Sequence, residues 1–105
     1  SVSINTGGEK VHPEEVEQAL SEMTGIREVA VRGWPHPDMG QQVVAYVVPH
    51  EGAAIGPEDV RVYARTRMAR FAVPREVLFV EELPRTPTGK VVPRLLPPPP
   101  GVQLG

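Results

Sequence analysis

Two lysines beside glycine turns are the residues of this sequence with the clearest capacity for chemistry. The chain has nine arginines but only two lysines, Lys10 and Lys90. Lys10 follows Gly7-Gly8-Glu9, and Lys90 follows Thr88-Gly89. A lysine ammonium is a compact point charge on a flexible stem, unlike the planar fork of arginine. Each lysine could therefore offset charge on a phosphate or carboxylate of a partner, or be an ordinary solvated side chain.

The second lysine lies on a loop that proline stiffens, Leu83-Pro84-Arg85-Thr86-Pro87-Thr88-Gly89-Lys90. Glycine permits a tight turn just before the lysine, so Thr88 and Gly89 are predicted to position Lys90. The stretch is not a phosphate-binding loop of the P-loop kind. Pro84 stands where that motif has its first glycine, and Val91 stands where it has the Ser or Thr that holds magnesium.

Other kinds of catalytic site find little support. The three histidines, His12, His36 and His50, lack metal-ligand spacing, and the chain has no cysteine, so no metal site is predicted. No serine stands in a nucleophile-elbow pattern, which argues against a hydrolytic triad. The lysine loop therefore remains the strongest candidate for chemistry.

Composition places the chain among ordinary globular domains. It has 105 residues, 40% hydrophobic and 23% charged, and a net charge of -2. This charge gives no reason to expect nucleic acid or an anionic membrane as a partner. No apolar run approaches the roughly 20 residues of a transmembrane segment. The absence of cysteine suits a reducing compartment, and a cytoplasmic location is predicted.

Two amphipathic helices are predicted to support the loops. The first begins at His12-Pro13-Glu14-Glu15 and the second at Gly56-Pro57-Glu58-Asp59, since proline and carboxylates favour a first helical turn. Their apolar residues recur with helical spacing. The predicted inner faces are Val16, Ala19, Leu20 and Met23 in the first helix, and Val60, Tyr63, Ala64 and Met68 in the second.

Strand patterns complete the predicted fold. Core strands are expected at 29–33, 43–48 and 77–80, with a turn-rich loop at 34–40. The first two should be antiparallel and the third parallel to its neighbour. The predicted fold class is α+β: a small three-stranded sheet with two helices on one face, preceded by a short N-terminal β-hairpin. The expected sheet core is Val29, Val31, Val44, Val47, Val77 and Phe79.

The end of the chain differs from the rest in composition. Four prolines, residues 97–100, follow a segment that Pro93 already interrupts. Such a run favours polyproline II or disorder over a helix. We therefore predict a folded domain at 1–96 and a flexible proline-rich tail at 97–105.

Four motifs give this sequence a family resemblance. The lysine loop resembles the last conserved motif of the adenylate-forming superfamily, P-R-T-x-T-G-K. That superfamily includes acyl-CoA synthetases, peptide-synthetase adenylation domains and luciferases. Three further stretches, in the family's order, resemble the glycine loop and helix that begin its C-terminal domain, its G-x-P-D-x-x-x-G-E/Q loop, and its Y/F-K-x-P-R/K segment. They are residues 4–17, 33–41 and 70–75. The Gly-Gly-Glu-Lys-Val stretch is closest to fatty-acyl-CoA synthetases.

The resemblance implies a mobile lid domain of an enzyme that joins a carboxylic acid to coenzyme A with ATP. By this resemblance Lys90 is the catalytic lysine of adenylation. Gly7 and Gly8 line the channel for the CoA thiol, and Lys10 lies near the CoA phosphates. ATP, CoA and Mg²⁺ are held mainly by an N-terminal adenylating domain, the expected partner, and no cofactor is held by this domain alone. The isolated domain is expected to be inactive.

The sequence departs from the family in two places. Val2 stands where an acidic or basic residue is often found, so no hinge residue is assigned, and a proline tail replaces the usual basic helix after Lys90. The alternatives are a non-catalytic carrier, with a lipoyl-like group on Lys90, and an independent binding module. The two predicted helices argue against the first, because such carriers are all-β.

Overall fold

Two α-helices and five β-strands make up residues 2–102, the part of the chain that a computed structural model describes. The α+β class is confirmed. Short 3-10 helices lie at Arg70–Ala72 and Pro93–Leu95. The elements, in chain order, are β1 (Ile4–Thr6), β2 (Glu9–Val11), α1 (Pro13–Ser21), β3 (Ile26–His36), β4 (Gly40–Pro49), α2 (Pro57–Arg65) and β5 (Glu76–Phe79). None of the helices among these residues is long and apolar enough to cross a bilayer.

Both helices begin where the sequence predicts. Pro13 and Pro57 occupy the first turn, where a missing N–H costs nothing, and each follows a residue in extended conformation. At the start of α2, the N–H of Gly56 donates to the carboxylate of Asp59 at 2.7 Å. The structure thus confirms both predicted helix starts.

The sheet is larger than the predicted three strands. It has five strands, because the N-terminal hairpin joins it through β1, where Thr6 pairs with Gly40 at the start of β4. The predicted pairings are confirmed: β3 is antiparallel to β4, and β5 is parallel to it. Treating the hairpin as a separate element was wrong. Its attachment depends on a pairing between residues far apart in sequence, which no local pattern indicates.

The predicted loop at 34–40 is mostly strand. Trp34, Pro35 and His36 continue β3 and pair with residues 40–42 of β4, so only 37–39 form the turn. Proline is tolerated here because β3 lies at the edge of the sheet, where a strand can lack a donor. The β3–β4 hairpin is therefore a long ribbon that runs the length of the domain.

One face of the sheet packs against both helices. Val16, Leu20, Val60 and Ala64 are buried there as predicted, and Tyr63, Met23 and Met68 are partly buried against the same core, the two methionines beyond the ends of their helices. Ala19 is only half-buried and does not belong to this core. Val44 belongs to the opposite face, since a strand alternates its side chains and Val44 cannot share a face with Val47. The helix-side core includes Val16, Leu20, Val60, Ala64, Val31, Val43, Ala45, Val47 and Val77.

The second face of the sheet is covered by the segment that follows β5. The Nε1–H of Trp34 donates to the Tyr46 hydroxyl at 2.7 Å, and that hydroxyl donates to the carbonyl of Pro97. The apolar cluster consists of Ala30, Trp34, Val44, Tyr46, Val48, Leu83 and Leu96, with Val102 partly buried against it. The described part of the predicted tail therefore lies against the sheet, and residues 103–105 are outside the described range. The boundary at residue 97 and the flexibility of the tail stay predictions.

Leu20 is the residue whose truncation tests the helix-side core most directly. Its side chain is fully buried between α1 and the sheet. Leu20→Ala should lower the free energy of unfolding by about 2–5 kcal/mol, because it removes apolar contacts and leaves a cavity. Urea denaturation of the 105-residue chain measures this. Val62→Ala is the control, because Val62 is 51% exposed on α2 and its truncation should change little. A loss below half of a kcal/mol for Leu20→Ala would contradict this core.

Glu17 connects α1 to the free edge of the sheet. Its carboxylate accepts a hydrogen bond from the Val31 N–H at 2.8 Å, so a helix side chain satisfies a donor on an edge strand. Burial raises the pKa of Glu17 above its ordinary value of 4.5, although this hydrogen bond acts in the opposite direction.

The raised pKa of Glu17 gives a pH prediction. The folded state holds the Glu17 proton more tightly than the unfolded state does, so this contribution to stability is complete below about pH 4.5 and is lost as the pH rises through the folded pKa. Glu17→Gln keeps an oxygen acceptor for Val31 and cannot ionise. As the pH rises from 4 to 7, the free energy of unfolding of Glu17→Gln, measured in urea, should therefore increase relative to that of the wild type. An equal stability difference at both pH values would contradict the burial of this charge.

Candidate functional site

Lys90 directly follows the turn of a short hairpin, residues 85–91, called here the lysine loop. Arg85 and Val91 form an isolated antiparallel bridge at its base. The N–H of Thr86 donates to the carbonyl of Lys90 at 2.8 Å, and the N–H of Gly89 donates to the carbonyl of Thr86 at 2.9 Å. Gly89 has a φ of +92°, a conformation that favours glycine. The loop is thus an ordered turn that leaves Lys90 exposed to solvent.

The threonines of the lysine loop are hydrogen-bonded within it. The Thr86 hydroxyl oxygen accepts the backbone N–H of Lys90 at 3.1 Å and lies 3.0 Å from the hydroxyl oxygen of Thr88. Thr88 and Gly89, the predicted positioning residues, therefore both lie in the turn that leads to Lys90. Thr86 has the more direct contact, and the sequence reasoning did not single it out.

Arg85 joins the lysine loop to the sheet. One guanidinium nitrogen donates to the Gly89 carbonyl at 2.6 Å, and another donates to the carboxylate of Glu28 on β3. Glu28 also lies 3.5 Å from the guanidinium of Arg27. The hydrogen bond from Arg85 holds the pKa of Glu28 below its ordinary value. The sequence reasoning gave Arg85 and Glu28 no role, and nothing in the spacing of residues 57 positions apart suggests one.

Gly7 and Gly8 form the two-residue turn between β1 and β2. Their φ angles are +58° and +85°, the left-handed pair that a tight hairpin turn requires. The hairpin of β1 and β2, residues 4–11, is called here the glycine hairpin. The N–H of Gly7 donates to the carbonyl of Met39 at 2.8 Å, which places the glycine hairpin beside the turn of the β3–β4 ribbon. A Cβ at Gly8 would meet no atom within 4 Å, so the outer side of the hairpin faces open space.

The motif at 33–41 packs against β1 of the glycine hairpin. A Cβ at Gly33 would lie 2.9 Å from the Gln41 side chain and 3.0 Å from that of Ile4. The freed space lets the Gln41 side-chain oxygen accept the N–H of Asn5 at 2.8 Å. In the adjoining turn, the Nδ1 of His36 accepts the N–H groups of residues 38 and 39. Gly33, Gln41 and His36 thus have structural roles near a candidate site.

Lys90 and the glycine hairpin lie at opposite ends of the β3–β4 ribbon. The lysine loop is bonded to Glu28, which pairs with Val48 near the end of β4. The glycine hairpin is bonded near Gly40, which pairs with His36. Glu28 and His36 are eight residues apart on β3, or about 26 Å at 3.3 Å per residue. The two predicted sites therefore do not form one active site within this domain.

An arginine-rich groove lies beside the glycine hairpin. It has a volume of about 840 Å³, and its wall includes Thr6, Met39, Phe71, one carboxylate, Glu9, and four arginines, which are Arg61, Arg65, Arg70 and Arg75. Arg61 and Arg65 are ion-paired with Glu58, whereas Arg70 and Arg75 have no carboxylate within 4 Å among residues 2–102. Such a groove can bind a phosphate-bearing molecule. Arg70 and Arg75 stand at the ends of the family motif at 70–75, whereas no sequence pattern gave Arg61 or Arg65 a role.

Lys10 does not line the arginine-rich groove. It is exposed on β2 and lines a smaller neighbouring groove with His12, Arg67 and Phe71. Met68 and Phe71 border both grooves. Among residues 2–102, no group of three or more histidine, cysteine or carboxylate side chains could hold a metal ion.

Comparison with known families decides what this fold belongs to. Residues 15–90 match the AMP-binding enzyme C-terminal domain, which is most of the chain. The chain belongs to this family. The domain is a C-terminal domain of the acyl-CoA ligase kind, as the resemblance predicted.

Several similar proteins are CoA ligases of much greater length. The chain is 45% identical over 91 residues to the 3-[(3aS,4S,7aS)-7a-methyl-1,5-dioxo-octahydro-1H-inden-4-yl]propanoyl:CoA ligase of Rhodococcus jostii (strain RHA1), and this covers 87% of the chain and 18% of that protein. It is 44% identical over 90 residues to the medium/long-chain-fatty-acid–CoA/3-oxocholest-4-en-26-oate–CoA ligase of Mycolicibacterium smegmatis (strain ATCC 700084 / mc(2)155), covering 86% and 16%. The chain thus spans less than a fifth of these relatives.

A solved structure agrees with the family assignment. ATP-bound MatB from Rhodopseudomonas palustris superposes on this domain with a TM-score of 0.82 and 40% identity. The match covers 85% of this chain and 18% of that one. The five-stranded sheet with two helices is therefore the fold of an AMP-binding enzyme C-terminal domain.

Proposed function

We propose that this domain is the mobile C-terminal lid of an ATP-dependent acyl-CoA synthetase. The complete enzyme converts a carboxylic acid, ATP and CoA into acyl-CoA, AMP and pyrophosphate. The lid supplies Lys90 to the first half-reaction and the glycine hairpin to the second. An N-terminal adenylating domain holds the acid, the nucleotide and Mg²⁺, so the lid alone is inactive.

The placement of the two sites supports this proposal most strongly. Lys90 and Gly8 are separated by the length of the β3–β4 ribbon, so one orientation of the lid cannot present both to one reaction centre. A rotation of the lid would present them in turn. Such gating separates two chemistries that share one site and completes the catalytic groups for each.

The first half-reaction needs a cation that is present at the reaction centre only during adenylation. A carboxylate oxygen attacks the α-phosphorus of ATP, the bond from that phosphorus to the bridging oxygen breaks, and pyrophosphate leaves. Two anions must approach each other, and charge shifts onto the phosphate oxygens as they do. The exposed ammonium of Lys90 can reach out of the lid and hydrogen-bond to both groups. Mg²⁺ on the large domain would offset the charge of the leaving pyrophosphate.

The second half-reaction needs a narrow path for a thiol. The CoA sulfur attacks the acyl carbon, and AMP leaves with the electron pair of the carbon–oxygen bond. The glycine hairpin has no side chain at its tip, and the space outside Gly8 is open. A backbone of this shape can border the pantetheine chain closely.

The arginine-rich groove suits the phosphate-bearing end of CoA. Arg70 and Arg75 line the arginine-rich groove beside the glycine hairpin and are free of carboxylate partners within residues 2–102. Lys10 adds a cation on the adjacent surface. We assign the CoA phosphates to this positive surface, with Lys10 at its rim, because charge-assisted hydrogen bonds from arginine and lysine are strong phosphate contacts.

A graft tests the proposed function. The chain should replace the corresponding domain of the Rhodococcus jostii ligase and preserve CoA-ligation of that enzyme's own acid within about tenfold, since the two are 45% identical. The chain alone should neither exchange pyrophosphate into ATP nor form acyl-CoA. A folded graft that lacks both half-reactions, or turnover of ATP by the purified chain alone, would contradict the proposal.

A further inference from the structure

The peptide group that precedes Lys90 is fixed at both of its ends. Its carbonyl oxygen, on Gly89, accepts a hydrogen bond from the Arg85 guanidinium at 2.6 Å. Its N–H, on Lys90, donates to the Thr86 hydroxyl at 3.1 Å. The orientation of this peptide group determines the direction in which the Lys90 side chain leaves the backbone.

Arg85 is itself held by the rigid part of the domain. Its second contact is the carboxylate of Glu28 on β3, a strand that pairs with β4 along the whole ribbon. The planar guanidinium has separate N–H groups for two acceptors in fixed directions, which a lysine ammonium does not. A short series of contacts therefore runs from the sheet through Glu28 and Arg85 to the Gly89 carbonyl.

The contact between Arg85 and Glu28 contributes little to folding. The side chains of Arg85 and Glu28 are 42% and 27% exposed, and ion pairs at a surface give small net stabilisation. The side chain of Lys90, by contrast, is exposed, and among residues 2–102 it forms neither a hydrogen bond nor an ion pair. The main consequence of the Arg85 contacts is therefore the geometry of the lysine loop.

We propose that Arg85 is a positioning residue for Lys90, and that Glu28 anchors Arg85 to the sheet. This proposal rests on the proposed role of Lys90 in adenylation. A flexible lysine is effective only if its ammonium spends much of its time near the reacting groups. A fixed backbone at Lys90 reduces the number of side-chain orientations that point away from those groups. Without Arg85 the Gly89 carbonyl is free to change its orientation, and the Lys90 side chain samples a wider range of directions.

The experiment measures both half-reactions of the complete ligase that carries this domain. Arg85→Ala should lower the turnover rate of acyl-adenylate formation about 10- to 100-fold, with little change in the KM for ATP. Arg85→Lys should restore little, because it keeps the charge and loses the fork. Glu28→Gln keeps an oxygen acceptor for Arg85, so it should lower the rate of acyl-adenylate formation less than Arg85→Ala does. Acyl transfer from pre-formed acyl-adenylate to CoA should stay near the normal rate in all three variants. Arg94→Ala, which removes an exposed arginine of the 3-10 helix at Pro93–Leu95, is the control.

A double variant separates positioning from other effects. If Arg85 acts through Lys90, Arg85→Ala should cause no further loss of adenylation in a Lys90→Ala background. Independent, multiplicative losses would overturn the proposal, as would normal adenylation by Arg85→Ala or full rescue by Arg85→Lys. Equal losses in both half-reactions would show a merely structural role. If Lys90→Ala alone adenylates normally, the proposed function fails first, and that outcome is distinguishable from a failure of the Arg85 proposal alone.

Discussion

Lys90→Ala in the complete ligase should slow acyl-adenylate formation by at least about two orders of magnitude, or about 3 kcal/mol of transition-state stabilisation. The expected loss is large because the ammonium offsets charge as two anions meet, and no other lysine lies in the lysine loop. Release of pyrophosphate on mixing acid with ATP, followed in a single turnover, measures the rate. The KM for ATP should change less than the turnover rate, because the proposed function places the nucleotide on the N-terminal domain.

Two comparisons make the Lys90 result specific. Lys90→Arg keeps the charge but should also fail, because the guanidinium is bulkier and its fork has a different geometry. Arg94→Ala removes an exposed cation elsewhere and should leave adenylation unchanged. A carrier role for Lys90 predicts instead a stable added mass on that side chain and a loss that does not distinguish the half-reactions. Normal pyrophosphate release by Lys90→Ala would contradict the assignment.

Gly8→Val should have the second large effect, and on the other half-reaction. A valine at Gly8 would project from the tip of the glycine hairpin into the space assigned to pantetheine. Acyl transfer from pre-formed acyl-adenylate to CoA should fall by about two orders of magnitude or more, while pyrophosphate release should be largely retained. Thioester formation measured by chromatography reports this rate.

Backbone strain at Gly8 requires a matched control. Valine disfavours the φ of +85°, so part of the effect could come from a distorted turn. Gly52 has a φ of +79°, and its Cβ would also meet no atom within 4 Å, yet it lies between β4 and α2, at the opposite end of β4 from the glycine hairpin. Gly52→Val should carry a similar strain and leave acyl transfer intact. Similar losses of acyl transfer in the two variants would contradict the channel assignment.

Local patterns in the sequence were sufficient to predict the helices and the pairing of the three core strands. Pro13 and Pro57 mark helix starts, and the spacing of Leu20 and Ala64 identifies faces that are buried as predicted. The attachment of the N-terminal hairpin was missed, because Thr6 and Gly40 pair across 34 positions without a side-chain pattern. Local periodicity contains no information on such contacts.

The covered second face of the sheet was also missed, although the sequence contains a signal for it. Residues 42–48 of β4 are all buried, and a strand without polar alternation is covered on both faces. The assignment of Val44 to the helix side ignored that alternation. Leu83 and Leu96 cover the other face, on either side of the lysine loop.

The candidate site could be predicted only where its residues are close in sequence. Lys90 and Gly89, like Gly7 and Gly8, stand together in motifs, so their types and spacing identify them. Arg85 and Glu28 meet only after folding, as do Arg61 and Arg75 in the arginine-rich groove. A charged residue that acts at a distance in sequence looks like any other surface residue until the fold brings its partner near.

The most direct test of two alternating sites on one lid compares both half-reaction rates in two variants of the complete ligase, measured side by side. Lys90→Ala should lose adenylation and retain acyl transfer from pre-formed acyl-adenylate. Gly8→Val should show the reverse, so the ratio of the two rates should move in opposite directions by about two orders of magnitude each. If both variants slow both half-reactions equally, the two sites do not serve separate steps, and the proposed function of this domain is wrong.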